Sequence, residues 1–146
     1  MHPNFLKKAA LVLALAVPGA ACADAVSATL YKNPSCGCCE AYAEHLRCAG
    51  FAVKVVPSEE MSAIKQKLQV PARLGSCHTA VIGKHVVEGH VPIDSVKRLL
   101  KERPAVKGIA VPGMPAGSPG MEAPVKEAFT VFAFTADGKQ SAYGAY

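Results

Sequence analysis

Three cysteines fall within four positions in the stretch NPSCGCCEAYAEHLRCAGF, residues 33 to 51, and a fourth follows nine residues later. Cys36 and Cys39 have the Cys-x-x-Cys spacing of thiol redox centres. Cys38 adds a Cys-x-Cys chelate and a vicinal pair with Cys39, for which a two-thiol redox centre has no use. Cysteines one or two residues apart rarely meet disulfide geometry, so a purely structural staple is a poor account of the motif. Three thiolates over one turn suit a soft metal ion. A second candidate group is Cys77-His78, in the loop Gly75-Ser76-Cys77-His78-Thr79, with Cys77 as ligand or disulfide partner and His78 as its neighbour.

Two methionines, Met114 and Met121, lie in the segment GIAVPGMPAGSPGME, which has no amphipathic pattern that would make them core. Thioethers bind Cu(I) and do little for zinc, so together with the thiols they tilt the metal towards copper. Structural zinc sites usually show two separated Cys/His pairs; only one Cys-x-x-Cys occurs here, which leaves zinc as second choice. The ferredoxin spacing of iron–sulfur proteins is absent. His90, at a bend, either reaches the cluster or braces the bend. His45 lies two helical turns beyond Cys38, too far to share one shell of ligands with it, and is expected to be a hydrogen-bonded structural residue. Cys48 is read as incidental, and His85 as a surface residue of a hairpin.

These side chains must be held by regular elements. SATLYK (27–32) reads as a strand, and Asn33-Pro34-Ser35 as a turn. A helix is expected from about Gly37 to Cys48 with Gly50 as its stop, then a strand over FAVKVV (51–56). Ser58-Glu59-Glu60 opens a second helix with apolar Met61, Ile64 and Leu68, ending before Pro71. Strands at 79–82 and 85–88 form a hairpin about Gly83-Lys84, and IDSVKRLLKE (93–102) is a third helix. The order β-α-β-α-β-β-α predicts an α/β fold with a thioredoxin-like core, in which the CGCC turn opens the first helix and the 75–79 loop faces it. Helix N-termini present unpaired N–H groups and a positive dipole end, which favour thiolates. Gly108 to Glu122, rich in glycine and proline, is expected to be an irregular loop, and residues 129–145 a β-hairpin about Asp137-Gly138.

The chain of 146 residues is 51% hydrophobic and 18% charged, enough for one domain with an ordinary core. Residues 1–23 have the pattern of a secretory signal: two lysines, the apolar run Ala9–Val17, then Ala21-Cys22-Ala23 before a cut after Ala23. The apolar run is too short to span a bilayer. A minor alternative is a lipoprotein anchored at Cys22. Cleavage removes Lys7 and Lys8 and no acid, so the net charge falls from +5 to +3, too mild for nucleic-acid binding. The domain is then 24–146, exported to the periplasm. Six cysteines become five, an odd number, so at least one thiol is free, bonded elsewhere or ligating a metal.

The combination of YKNPSCGCCEAYAEHL, SCHTAVIGKHVVEGHVP and GIAVPGMPAGSPGME resembles the CopG-like family of exported thioredoxin-like copper proteins, from about Leu30 to the C-terminus. The resemblance implies a thioredoxin-like fold, a periplasmic location, and copper binding with redox chemistry in copper resistance. Carried over by position, the metal residues would be Cys36, Cys38, Cys39 and Cys77, with His78, His90, Met114 and Met121. Cys48 and Tyr42 depart from the family's usual pattern, which has a small non-thiol residue and a tryptophan there. The leading expectation is a periplasmic protein holding Cu(I), as a single ion or a multinuclear cluster, with a periplasmic copper chaperone or efflux component as partner. The alternative is a thiol–disulfide oxidoreductase using Cys36 and Cys39. A third reading is a structural module bridged through Cys36 and Cys77.

Overall fold

The computed structural model describes residues 25–146; the expected signal segment and Cys22 lie outside the described residues. Seven strands form one mixed sheet, in the order β2-β1-β3-β4-β5-β6-β7. They are β1 (Ser27–Lys32), β2 (Ala52–Pro57), β3 (His78–Ile82), β4 (His85–Glu88), β5 (Gly108–Ala110), β6 (Thr130–Phe134) and β7 (Gln140–Ala145). Three helices, α1 (Gly37–Cys48), α2 (Met61–Lys67) and α3 (Ile93–Glu102), complete the α/β fold. β1 and β2 are parallel and joined through α1, while β1/β3 and β3/β4 are antiparallel. From residue 27 to 102 the elements follow the order β-α-β-α-β-β-α expected from the sequence.

Alternation along the strands splits the core between the two sheet faces. Val87, Ile109 and Ala133 join Tyr42, Ala43 and Leu46 of α1 and Val96 and Leu99 of α3 in the larger cluster. Their neighbours Val86, Ala110 and Phe134 point the other way and pack with Val70 and Leu74. The buried residues of α1 (Cys39, Tyr42, Ala43, Leu46) recur at three and four, which sets this helix on the sheet with its first turn at the strand end.

One expectation fails in the segment after α3. Gly108–Ala110 is not irregular but a strand, parallel to β4 and antiparallel to β6. The reason is steric: a Cβ on Gly108 would lie 2.1 Å from the Val86 carbonyl oxygen and 2.8 Å from the Phe134 ring. Glycine here admits close approach of two neighbouring strands rather than a turn. The rest of the Pro/Gly segment is a loop, and β6 and β7 form the expected hairpin.

Candidate metal centre

Cys36 is the residue just before α1, and Cys38 and Cys39 lie in its first turn. The turn before it is fixed by Lys32, which is only 3% exposed. Its ammonium donates to the carbonyls of Asn33 (3.2 Å) and Pro34 (3.1 Å) and pairs with Glu40 of α1 at 3.3 Å. Cys77 faces this turn from the loop that leads into β3. The sulfur atoms of Cys36, Cys38, Cys39 and Cys77 all lie within 4.8 Å of one another. Cys36 and Cys39 are joined by a disulfide. Cys38 Sγ stands 3.5 Å from Cys36 Sγ and 3.8 Å from Cys77 Sγ.

A second convergence shares Cys77. Its Sγ lies 3.3 Å from His78 Nδ1 and 3.0 Å from His90 Nε2, and these three donor atoms form a compact group. The other nitrogen of His90 is held by the Pro119 carbonyl at 2.8 Å, which leaves Nε2 directed at the sulfur. Both imidazoles are buried, and His78 Nε2 has no hydrogen-bond partner. Burial holds His78 well below the usual imidazole pKa, with the neighbouring His90 and Lys65 adding to the effect. Burial likewise lowers His90, against the pull of its bond to Pro119. Neutral rings are the form that binds metals. The Cys77 thiol is pushed up to about 12 by burial first and by Cys38 second.

Tyr42 of α1 packs against both imidazoles. Its ring lies 4.5 Å from that of His78 and 5.8 Å from that of His90, and its hydroxyl donates to the Val91 carbonyl at 2.9 Å. The loop between β5 and β6 runs over both groups. Gly113 N–H donates to the Gly75 carbonyl at 3.3 Å, and the Ser76 hydroxyl donates to the Gly113 carbonyl. Gly120, at φ +83°, presses on the first turn of α1; a Cβ there would lie 2.9 Å from the Tyr42 nitrogen and 3.0 Å from the Cys38 carbonyl.

Of the residues expected from the sequence, Cys36, Cys38, Cys39, Cys77, His78 and His90 are brought together. Met114 and Met121 belong to the overlying loop; Met114 is 51% exposed and Met121 half-buried. His45 is structural as expected, pairing with Glu122 at 2.6 Å and so tying α1 to the loop. Cys48 is exposed, at the far end of α1. His85 corrects its expectation: it is buried, because β4 is covered on both faces. Reading the sequence also passed over Lys32, Lys65 and Glu88. Buried charges leave no periodic trace, although EGH directly before a bend is a polar run where a strand end would be apolar.

In this α/β protein, thiols and imidazoles converge at a helix N-terminus, a donor set that could hold a soft metal ion. Residues 74–121 match the family described as "Protein of unknown function, DUF411". Two solved structures, "Copper resistance protein copG", forms 1 and 2, match at 41% identity with TM-score 0.80. Each match covers 84% of this chain, and 98% and 99% respectively of the other. No curated protein sequence matches. The chain belongs to the CopG-like copper resistance family.

Proposed function

We propose that this is a periplasmic copper-binding protein that holds Cu(I) through Cys36, Cys38, Cys39 and Cys77, with His78 and His90 extending the site. The convergence of four sulfurs within 4.8 Å is the observation that carries this reading. Because Cys77 belongs to both donor groups, its thiolate would serve a metal held by either, and a multinuclear cluster would draw on both. Met114 and Met121 supply soft thioethers from the loop. Zinc would use the thiolates and imidazoles but gain little from the thioethers. The two similar solved structures carry a copper resistance name, which favours copper.

The Cys36–Cys39 disulfide withholds two of the four sulfurs, so full loading requires an external thiol reductant, which is itself oxidised to a disulfide as Cys36 and Cys39 become thiols. Copper handling and thiol redox state are thereby linked. The clefts of about 450 and 390 Å³ are lined by residues other than these thiols and imidazoles. Among the described residues no helix is long and apolar enough to cross a membrane. Export through residues 1–23, and a copper chaperone or efflux component as partner, belong to the same proposal.

Anaerobic titration of the reduced protein with Cu(I) against a competing chelator tests it. Tight binding that falls at least about tenfold in Cys38→Ser is expected, given one soft ligand lost. Weak binding, or a variant equal to the parent, overturns it. A thiol–disulfide oxidoreductase would instead turn over a disulfide substrate when metal-free; the comparisons lend that alternative nothing.

A further inference from the structure

Glu88, the last residue of β4, is fully buried yet carries an acidic side chain, which is hydrogen-bonded on both sides of Cys77-His78 and to Lys65 of α2. Its Oε1 accepts from the Ser76 N–H at 2.7 Å and from the Lys65 ammonium at 2.5 Å. Its Oε2 accepts from the Thr79 hydroxyl at 2.6 Å, and Lys65 also donates to that hydroxyl at 2.9 Å. Ser76 and Thr79 flank Cys77 and His78 in sequence, so one carboxylate grips the chain on both sides of two candidate ligands. Two residues further on stands His90. Between them Gly89, at φ +72°, turns the chain tightly against Ser76: a Cβ there would lie 2.5 Å from the Ser76 Cβ. The Gly89 N–H then donates to the His78 carbonyl at 3.0 Å.

A buried ion pair is an inefficient way to stabilise a core, since well-packed apolar residues serve as well or better. Its use here is directional. A carboxylate accepts several hydrogen bonds at fixed angles, which apolar packing cannot imitate. We propose that Glu88, braced by Lys65, is a positioning residue of the metal centre: it sets where Cys77 and His78 stand relative to the CGCC turn and to His90. This role rests on the metal-centre reading, but the geometry it governs can be measured without metal.

The test uses protein in which Cys38 and Cys77 are the only cysteines, the others being serine. Their equilibrium with glutathione disulfide joins Cys38 to Cys77 and releases two glutathione thiols. The equilibrium constant reports the effective concentration of the two thiols. Glu88→Gln keeps the size of the side chain but loses the charge and one acceptor. It is expected to lower that constant by about tenfold or more, as loosened geometry does for intramolecular reactions. Val131→Ala, two strands away in the core, is expected to lower the melting temperature and leave the constant within about twofold, since distant sites act independently. If Glu88→Gln does not fold, Thr79→Val decides, because it removes one grip and keeps the ion pair. An unchanged constant in the variant that folds, or an equal fall in Val131→Ala, overturns the positioning role. In the full-cysteine protein, Glu88→Gln is expected to weaken Cu(I) binding. Should the parent bind no Cu(I), the metal reading fails while the glutathione equilibrium still decides the role of Glu88.

Discussion

Cys77 is the residue on which the two donor groups meet, and its protonation sets how metal enters. With its pKa pushed up to about 12, it keeps its proton at neutral pH in the metal-free protein. A metal must displace that proton, so binding should release at least one proton and weaken as pH falls, by up to about tenfold per pH unit for each proton released. A Cu(I) titration in weak buffer, followed with a pH indicator, measures this; no proton release would contradict it. Cys48 offers the control, since it is exposed at the far end of α1. Cys48→Ser should leave Cu(I) capacity unchanged, as read from bound copper after desalting. The cysteines and His78 were legible as candidates because their types and spacing are unusual in themselves. His90 was not settled, because what aims it is the Pro119 carbonyl, 29 residues away in sequence and supplied by a loop without periodicity.

Among the elements, the loop between β5 and β6 matters most, since it touches both sides of the site. It seats Gly120 against the first turn of α1. Gly120→Ala meets both steric overlap and a positive φ, and should cost about 1–3 kcal/mol of stability in urea unfolding. It should also speed alkylation of Cys38 in the reduced protein, because the loop must lift from that turn. Unchanged stability and reactivity would show that the loop is not seated there. Helices, hairpins and their order were readable from hydrophobic periodicity and turn residues, down to the ends of α1 and α3. β5 was not: glycine signals a turn locally, and only the neighbouring strands reveal that Gly108 is pressed between Val86 and Phe134.

For the whole molecule, three buried imidazoles make the metal-free fold sensitive to acid. His78, His85 and His90 are all lowered from 6.5, chiefly by burial. Below about pH 6.5 the unfolded chain therefore binds protons that the native state refuses, and stability falls as pH drops towards the lowered native values. Glu88, raised by burial despite Lys65, works in the opposite direction, one group against three. Urea unfolding of metal-free protein at pH 7.5 and at about pH 5.5 should give the smaller free energy at the lower pH; equal values would contradict the neutral, buried state of the histidines. The family fold and the candidate metal centre fit one chain because the same strand ends and helix start that close the core also gather the thiols and imidazoles. In the proposed function, sulfur from the CGCC turn and Cys77 grips the copper. Copper K-edge X-ray absorption of the reduced, Cu(I)-loaded protein tests this most directly. A nearest-neighbour shell dominated by sulfur, with nitrogen as the minor component, is predicted. A shell of nitrogen and oxygen alone would contradict it.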